Sequence, residues 1–351
     1  MSEPVLTVQN LTTQLSIDKK VYTVVDRLSF SLYPGKTLAI VGESGCGKSM
    51  AALSIMRILP HPPALHPQGE VIYQGTNLLD LPSKRMREIR GARIAMIFQD
   101  PTSALNPVYT VGDQLVEVAE LHMDLYGDEA LALATKALAD VGIPSPRERL
   151  NDYPHQLSGG MRQRVMIAMA LMCEPDILIA DEPTTALDVT IQAQVLDLMR
   201  DLQKRRGMAL LLITHDMGVV AEMANDVIVM YAGQGIERGT VHQIFDDMSH
   251  PYTQGLFRSR PTQETVAGER LKVIKGTVPP LTRYPEGCHF HPRCEYCMDR
   301  CKDGDVTEFS LLGEGDHRVL CWLWDETELS VKNRRLMKED GIDHATSTAH
   351  C

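Results

Sequence analysis

Apolar residues in positions 1–240 fall into short continuous runs, separated by longer stretches in which they recur every three or four positions. Short apolar runs bounded by turn residues predict buried strands, and the wider spacing predicts helices with one buried face. The strand candidates are residues 5–8, 28–32, 37–41, 71–73, 94–98, 177–180, 209–213 and 227–231. Strands that alternate with helices are typical of an α/β domain.

Helical patterning is densest between residues 110 and 172. Within this stretch we predict three helices, over residues 111–122, 129–141 and 160–172. An earlier helix is predicted over residues 48–58, because Pro60 cannot continue it. We therefore expect a helical subdomain, at about residues 100–172, inserted into the α/β core.

The composition changes after Asp247, where prolines become frequent and five of the eight cysteines follow within residues 288–321. We place a domain boundary near residue 245. The expected organisation is an α/β domain over residues 1–245 and a small cysteine-rich appended domain over 246–325. Residues 326–351 are polar and charged, and we expect much of this tail to be disordered.

Charge and hydropathy limit the class of protein. Hydrophobic residues make up 44% of the chain and charged residues 23%, as in an ordinary globular protein. No apolar run is long enough to cross a bilayer, and the first thirty residues lack the pattern of a signal peptide. The net charge of -11 argues against a general nucleic-acid binder. We expect the chain to stay in the cytosol unless a partner holds it at a membrane.

Residues 42–49 match the phosphate-loop pattern G-x-x-x-x-G-K-[ST] between a predicted strand and a predicted helix. The loop consists of Gly42, Glu43, Ser44, Gly45, Cys46, Gly47, Lys48 and Ser49. Its glycines allow backbone N–H groups to surround phosphate oxygens, and the helix dipole favours the same anion. Lys48 would bind the β- and γ-phosphates, and Ser49 would bind Mg²⁺. A chance glycine-rich turn is the alternative, but it explains neither the lysine nor the flanking elements.

Asp181 and Glu182 end the apolar run 177–180. Ligands of parallel sheets bind at the carboxyl ends of the strands, so Asp181 is positioned to hold Mg²⁺ through water. Glu182 is positioned to orient and polarise an attacking water molecule. A solvated acidic pair that ends a strand is the alternative for these two residues taken alone.

Between these two motifs the chain reads Leu157-Ser158-Gly159-Gly160-Met161. With this segment the sequence resembles the ATPase subunits of ATP-binding-cassette (ABC) transporters, which have a P-loop NTPase fold. The resemblance implies that Ser158, Gly159 and Gly160 contact the γ-phosphate of ATP held by a second subunit. An ordinary N-cap serine with two glycines would explain the composition of the segment but not its place in the chain.

Further positions match the same family and complete the implied site. Gln99 resembles the glutamine that contacts Mg²⁺ and water, and Asp188 resembles the residue that links the two sites of a dimer. His215 resembles the histidine that contacts the γ-phosphate, although a single histidine after a strand is usually structural. Tyr22 is the candidate for stacking on adenine, and a half-buried strand residue is its alternative reading.

One branch of the family is most similar, the ATPases of dipeptide and oligopeptide importers. The similarity rests on residues 95–107, 153–157, 180–190 and 250–254 and on the cysteine-rich region. It implies ATP-driven peptide uptake with a second, related ATPase, two transmembrane permease subunits and an external solute-binding protein. The chain would then lie peripherally on the cytoplasmic face of the cell membrane. Importers of nickel, opines, antimicrobial peptides and glutathione share this branch, so these solutes stay open.

Other classes fit less well. Soluble ABC ATPases of DNA repair or translation usually carry two cassettes or a long coiled-coil insertion, and neither is visible here. An exporter half would carry fused membrane spans. A P-loop kinase or GTPase would lack the segment 157–161 and the histidine at 215.

The cysteines after residue 288 form a candidate metal site, because such clusters in cytosolic proteins more often bind metal than form disulfides. Cys288, Cys294, Cys301 and Cys321 resemble, in spacing, the ligands of a [4Fe–4S] cluster in the peptide-importer branch. Zinc is the alternative, since Cys294 and Cys297 also have the spacing of a zinc pair. The resemblance leaves Cys297 as a spare, and we expect a structural role for the metal.

Overall fold

The computed structural model describes residues 3–100, 104–184, 189–259, 273–311 and 316–345, with the backbone alone for 340–345. In these ranges the strands are β1 (Leu6–Ile17), β2 (Lys20–Leu32), β3 (Thr37–Val41), β4 (Gln68–Tyr73), β5 (Thr76–Asn77), β6 (Ile94–Ile97), β7 (Ile177–Asp181), β8 (Ala209–Ile213), β9 (Asp226–Tyr231), β10 (Gln234–Thr240), β11 (Glu308–Ser310) and β12 (Arg318–Leu320). Each strand candidate from the sequence overlaps one of these strands.

The helices in the same ranges are α1 (Lys48–Ile55), α2 (Ser83–Ile89), α3 (Val111–Met123), α4 (Gly127–Asp140), α5 (Pro146–Arg149), α6 (Gly159–Leu171), α7 (Val189–Arg206), α8 (Met217–Met223), α9 (Val241–Asp246), α10 (Pro251–Arg258) and α11 (Glu328–Ala345). None of them combines the length and the hydropathy that crossing a bilayer requires.

Two sheets organise the described residues. The larger has the strand order β11-β12-β10-β9-β3-β8-β7-β6, and the smaller has the order β2-β1-β4-β5. In the larger sheet the pairs β9–β3, β3–β8, β8–β7 and β7–β6 are all parallel. Every residue of β3, β7 and β8 is buried, as expected for parallel strands that are covered on both faces.

The parallel pairing aligns the ends of these strands at one edge. Ile40 of β3 lies opposite Ile213 of β8, and Ile213 lies opposite Asp181 of β7. The residues that directly follow β3, β7 and β8 therefore emerge on the same side of the sheet. This is where ligands of open α/β sheets bind.

The helices predicted between residues 110 and 172 form as α3, α4 and α6, within three residues of the expected ends. Leu115, Ala134 and Val165 from these helices pack in one cluster with Ile97 and Leu178 of the larger sheet. Thr110 and Asp113 cap α3 by exchanging hydrogen bonds. The helical segment thus shares its core with one face of the sheet.

A separately folded cysteine-rich domain is not confirmed. Strand β12 pairs with β10, so the segment after residue 245 extends the larger sheet. Tyr252 and Phe290 of this segment pack with Val41 and Tyr231 in one buried cluster. The change in composition at residue 245 suggested a domain boundary. Prolines and cysteines limit regular secondary structure after that point, but they do not prevent the segment from packing against the sheet.

We expected disorder after residue 326, and the structure describes a helix, α11, within this tail. Met337 is fully buried and packs with Leu323 and Cys321. Arg334 and Lys338 lie over the ring of Trp324, at 5.0 and 5.4 Å from its centre. Charged side chains that cover an aromatic ring give a polar segment an anchor that its composition does not reveal.

A buried carboxylate ties the C-terminal segment to β10. Glu237 is 1% exposed and accepts hydrogen bonds from the backbone N–H groups of Ser249 and His250, at 2.7 and 2.9 Å. His317, beside β12, is also buried and lies 3.0 Å from the same carboxylate. Three polar groups from two segments therefore depend on one side chain.

Replacing Glu237 should destabilise the fold strongly. Because Glu237→Ala leaves the buried N–H groups and His317 without their acceptor, we expect a loss of about 3–5 kcal/mol. Denaturant unfolding measures this change. Glu308→Ala is the control: Glu308 pairs with Arg238 and Arg318 on the surface, where a loss under about 1 kcal/mol is expected. Equal losses in the two variants would contradict a special role for Glu237.

Candidate active site

The phosphate loop connects β3 to α1, and two of its glycines have no substitute. Gly42 has φ 153°, and a Cβ added there would collide with the carbonyl oxygen of Met230. Gly47 has φ 106°, and its Cβ would lie 2.6 Å from the carbonyl oxygen of Val24. Only glycine allows this approach of the loop to β9 and β2. The loop ends directly at the N-terminus of α1, for which Gly47 is the N-cap.

Lys48 is 5% exposed and lies under this loop. Its ammonium group donates to the carbonyl oxygens of Gly42 and Glu43, at 2.8 and 3.1 Å. The cation, the loop amides and the N-terminus of α1 are therefore close together. This combination binds the phosphates of a nucleotide.

A hydroxyl and a carboxylate meet beside the loop. The Oγ atom of Ser49 donates to Oδ1 of Asp181 at 3.0 Å, and Asp181 is 4% exposed at the end of β7. Burial raises the pKa of Asp181 and the neighbouring Glu182 adds to the rise, while the hydrogen bond from Ser49 and the charge of Lys48 oppose it. Oxygen donors of this kind suit Mg²⁺, which is usually held by one or two carboxylates together with substrate phosphates and water.

Glu182, Gln99 and His215 form a second group next to the first. Gln99 donates from Nε2 to Oε2 of Glu182 at 3.0 Å, and Nδ1 of His215 lies 3.2 Å from Oε1. Glu182 has φ 46°, an unusual backbone conformation for a residue with a side chain, and its N–H donates to the carbonyl oxygen of Ile213. Such backbone strain is concentrated at functional sites.

These residues line an open cleft of about 560 Å³. Its walls include Gly42, Ser44, Gln99, Glu182 and His215, which the sequence had singled out from four distant parts of the chain. Leu256 and Ser259, from α10 and the residue after it, also line the cleft and were not predicted. The C-terminal segment therefore contributes part of the wall.

A larger groove, of about 790 Å³, lies elsewhere between the two sheets. Most of its charged residues are paired with one another: Arg27 with Asp26 at 3.2 Å, and Glu308 with Arg238 and Arg318 at 3.3 and 3.2 Å. None of the predicted nucleotide-binding residues lines it. The larger volume of this groove does not make it the nucleotide site. The predicted phosphate-binding and catalytic residues line the cleft at the phosphate loop instead.

The segment 157–161 is not part of the wall of this cleft as the described residues form it. Ser158 is the N-cap of α6, and its hydroxyl accepts from the N–H of Met161 at 3.3 Å. Ser158 and Gly159 are exposed. A Cβ at Gly159 would meet nothing within 4 Å, so the packing of the chain itself does not require glycine there.

Of the two remaining predicted residues, one is described and lies away from the cleft. Tyr22 is half-buried in β2, opposite Leu15 of β1, and is absent from the residues that line the cleft. Its role at adenine stays a prediction. Asp188 lies in the segment 185–188, which the structure does not describe.

Sequence reasoning missed two residues that hold the phosphate loop from the C-terminal side. The hydroxyl of Tyr252 accepts from the N–H of Glu43 at 2.8 Å. Arg293 forms an ion pair with the Glu43 carboxylate, with a shortest distance of 2.6 Å. The sequence contained one signal, His250-Pro251-Tyr252, which served only to indicate the branch of the family.

The four predicted thiols converge. Cys288, Cys294, Cys301 and Cys321 line one small cavity with Phe290 and Trp322, whereas Cys297 does not. Burial raises the pKa of Cys288 to about 11 and raises the pKa of Cys294 and Cys321 as well, while nearby backbone N–H groups oppose these rises. Within the described residues, no group of three or more His, Cys, Asp or Glu side chains has the arrangement of a formed metal site.

Comparisons with known proteins agree with this geometry. Residues 25–185 match the family described as ABC transporter, and residues 236–301 match the family described as oligopeptide/dipeptide transporter, C-terminal region. The chain is 50% identical to a dipeptide transport ATP-binding protein of Bacillus subtilis, over 92% of this chain and 96% of that protein. It is also 50% identical to an oligopeptide transport ATP-binding protein of the same organism, over 84% of this chain and 82% of that protein.

Solved structures show the same fold. An ATP-binding cassette, solved as a dimer in a post-hydrolysis state with ADP and phosphate, matches with a TM-score of 0.60 and 26% identity, over 67% of this chain and 98% of that one. A cassette of Clostridium perfringens, part of an ABC transporter complex, matches with a TM-score of 0.58 and 28% identity, over 70% of this chain and 91% of that one.

The raised pKa of Asp181 gives a pH-dependent stability. The folded protein holds the Asp181 proton more tightly than the unfolded chain, whose value is 3.8, so ionisation lowers stability as the pH rises between those two pKa values. Asp181→Asn should therefore stabilise the nucleotide-free protein at neutral pH and give little gain below the unfolded value. Urea unfolding without Mg²⁺ between about pH 3 and 8 tests this. Asp201→Asn, on the exposed face of α7, controls for the loss of a negative charge. A gain from Asp181→Asn that does not change with pH would exclude this explanation.

Proposed function

Because this chain belongs to the ATP-binding proteins of ABC transporters, we propose that it is the ATP-hydrolysing subunit of a membrane importer of di- and oligopeptides. The observation that carries the proposal is the meeting of Gln99, Glu182 and His215 beside the phosphate loop. The peptide substrate is supported by the match of residues 236–301 and by the relatives that are named as dipeptide and oligopeptide transport proteins.

Each side chain has a place in ATP hydrolysis. Lys48 and the loop amides bind the β- and γ-phosphates, and Ser49, Asp181 and Gln99 provide oxygen atoms for Mg²⁺. When bound, Mg²⁺ neutralises the charge that develops on the transferred phosphoryl group. Glu182 orients the attacking water. His215 lies next to the carboxylate of Glu182, and from this position it contacts the γ-phosphate. The catalytic contribution is positioning and electrostatic stabilisation.

The active unit is a dimer of ATPase subunits, with a second and related chain as partner. Ser158 and Gly159 are exposed at the start of α6, and Gly159 has empty space around it. Donors at a helix N-terminus favour an anion, which here is the γ-phosphate held by the partner. Asp188 links the two sites, and Tyr22 stacks on adenine. Hydrolysis removes the γ-phosphate that joins the subunits, and the dimer opens.

The helical subdomain is the proposed contact with two transmembrane permease subunits. Val108, Tyr109, Leu121 and Tyr126 expose 72, 54, 72 and 62% of their surface in or beside α3. Such exposure of large apolar side chains at both ends of one helix supports a contact there. The chain then acts peripherally at the cytoplasmic face of the membrane, and an external solute-binding protein delivers the peptide to the permease.

Cys288, Cys294, Cys301 and Cys321 are the proposed ligands of a [4Fe–4S] cluster, with zinc as the alternative metal. Convergence of four thiols, from two buried and two partly buried cysteines, on one cavity supports a shared ligand. Backbone N–H groups of Phe290, Tyr296 and Leu323 favour the thiolate forms that a cluster requires. The proposed role is structural, because a segment with little regular secondary structure gains stability from a metal.

Glu182→Gln tests the ATPase and the importer together. We expect ATP binding to persist, hydrolysis to fall by about 100-fold or more and peptide uptake to stop, because the amide cannot polarise the water. The assays are nucleotide titration, phosphate release and labelled-dipeptide uptake by the importer in vesicles. Glu174→Gln removes an exposed carboxylate, 3.6 Å from Arg206, and should change none of them. Phosphate release near the wild-type rate in Glu182→Gln would end this assignment.

The metal assignment predicts a colour. Protein purified without air should absorb broadly near about 400 nm and contain iron and sulfide. Cys321→Ser should lose this absorbance, because the thiol lines the cavity. Cys297→Ser should retain it. Colourless protein with stoichiometric zinc would replace the iron–sulfur assignment.

A further inference from the structure

Glu43, the second residue of the phosphate loop, is held at two points by the C-terminal segment. Its backbone N–H donates to the hydroxyl of Tyr252, which is fully buried. Its carboxylate accepts hydrogen bonds from both terminal nitrogens of Arg293, at 2.6 and 3.1 Å. The loop is therefore supported by residues 209 and 250 positions away as well as by its own strand and helix.

Arg293 is held rigidly by its own surroundings. Its side chain is only 6% exposed. The guanidinium also donates to the carbonyl oxygens of Lys275 and Gly276, at 2.9 and 3.2 Å, and it lies 5.7 Å from the ring centre of Tyr231. Because these contacts occupy the other N–H groups of the planar guanidinium, they fix its orientation. The two terminal nitrogens are therefore held in place to bind both carboxylate oxygens of Glu43.

The electrostatic consequence concerns the phosphates. Glu43 is the only acidic residue among positions 42–49, and it lines the same cleft as Gly42 and Ser44. An unpaired carboxylate there would repel a polyphosphate. Lys48 contacts the backbone carbonyl of Glu43, whereas Arg293 pairs with its carboxylate. The neutralising charge thus comes from the C-terminal segment.

We propose that Arg293 is a positioning residue for nucleotide binding: by pairing with Glu43 it fixes the phosphate loop in place and neutralises the carboxylate at the phosphate cleft. This inference rests on the proposed function, since it takes ATP as the ligand. It assigns to the C-terminal segment a role in setting the affinity for ATP. Arg293 acts through Glu43 and does not itself touch the reacting atoms.

The test is a double-mutant cycle on the full-length protein, with ATP affinity measured by titration of a fluorescent ATP analogue. Arg293→Gln should weaken binding by about five- to tenfold, because it leaves Glu43 charged and unpaired. Glu43→Gln together with Arg293→Gln should bind within about twofold of Glu43→Gln alone, since no carboxylate remains to be neutralised. Arg293→Lys should fall between wild type and Arg293→Gln, because an ammonium keeps the charge without the fork.

Turnover separates positioning from general damage. In the assembled importer, Arg293→Gln should raise KM for ATP and leave kcat within about twofold, because Glu182, Gln99 and His215 are not altered. Arg300→Gln is the matched control. Arg300 precedes Cys301 as Arg293 precedes Cys294, and it pairs with Asp325 over the ring of Trp322, but it does not contact the loop. The Arg300→Gln variant should bind ATP with the affinity of the wild type.

The outcomes distinguish this inference from the proposed function. If wild-type protein does not bind the analogue, or if Lys48→Ala binds as well as wild type, the proposed function fails. If both of those controls behave as expected and Arg293→Gln binds ATP like Arg300→Gln, only the role of Arg293 is refuted. A merely structural role would give the same loss from Arg293→Gln with or without Glu43→Gln in the same chain, and that result also refutes it. Should Arg293→Gln not fold, Arg293→Lys gives the same comparison with a smaller expected effect.

Discussion

The parallel pairing of β3, β8, β7 and β6 is the constraint on which the site depends. Because the strands are buried on both faces and run in one direction, their carboxyl ends meet at a single edge. The phosphate loop, Asp181, Glu182, Gln99 and His215 follow four different strands, and this edge brings them together. If β7 ran in the opposite direction, Asp181 and Glu182 would lie at the other edge of the sheet, away from the loop.

The C-terminal segment is part of this architecture. Strand β12 continues the larger sheet, and Glu237 joins the segment to β10 through buried hydrogen bonds. Tyr252 and Arg293 then reach the phosphate loop itself. Arg293 lies in the short turn between Cys288 and Cys294, so the turn that brings these two thiols to one cavity also presents the guanidinium to Glu43.

Exposed groups at the start of α6 contrast with the closed environment of the phosphate loop. Gly42 and Gly47 are required by contacts within the chain, whereas Gly159 has no such contact. A small residue that internal packing does not require is consistent with space kept for something outside the chain. In the proposed mechanism, the donors at this helix start serve the nucleotide held by a partner chain.

The sequence by itself determined the elements of the α/β core and most of the site. The phosphate loop, Asp181 and Glu182 are short local patterns, each next to a strand whose apolar run is visible in the sequence. Gln99 and His215 were identified from the resemblance to the family, and the structure places both beside Glu182. The four cysteines were likewise found from their spacing, and the structure places them around one cavity. Local patterns of this kind depend on neighbouring residues, so they can be recognised without knowing the fold.

Only the tertiary structure decided how the C-terminal segment is used. Proline, cysteine and charge indicated a separate domain and a disordered tail, yet β12 joins the main sheet and α11 is anchored by Met337 and Trp324. The contacts of Glu43 with Tyr252 and Arg293 join residues 209 and 250 positions apart, and no local pattern marks them. The packing of the whole core decides which distant side chains come into contact. A short stretch of sequence around either residue does not reveal such a contact.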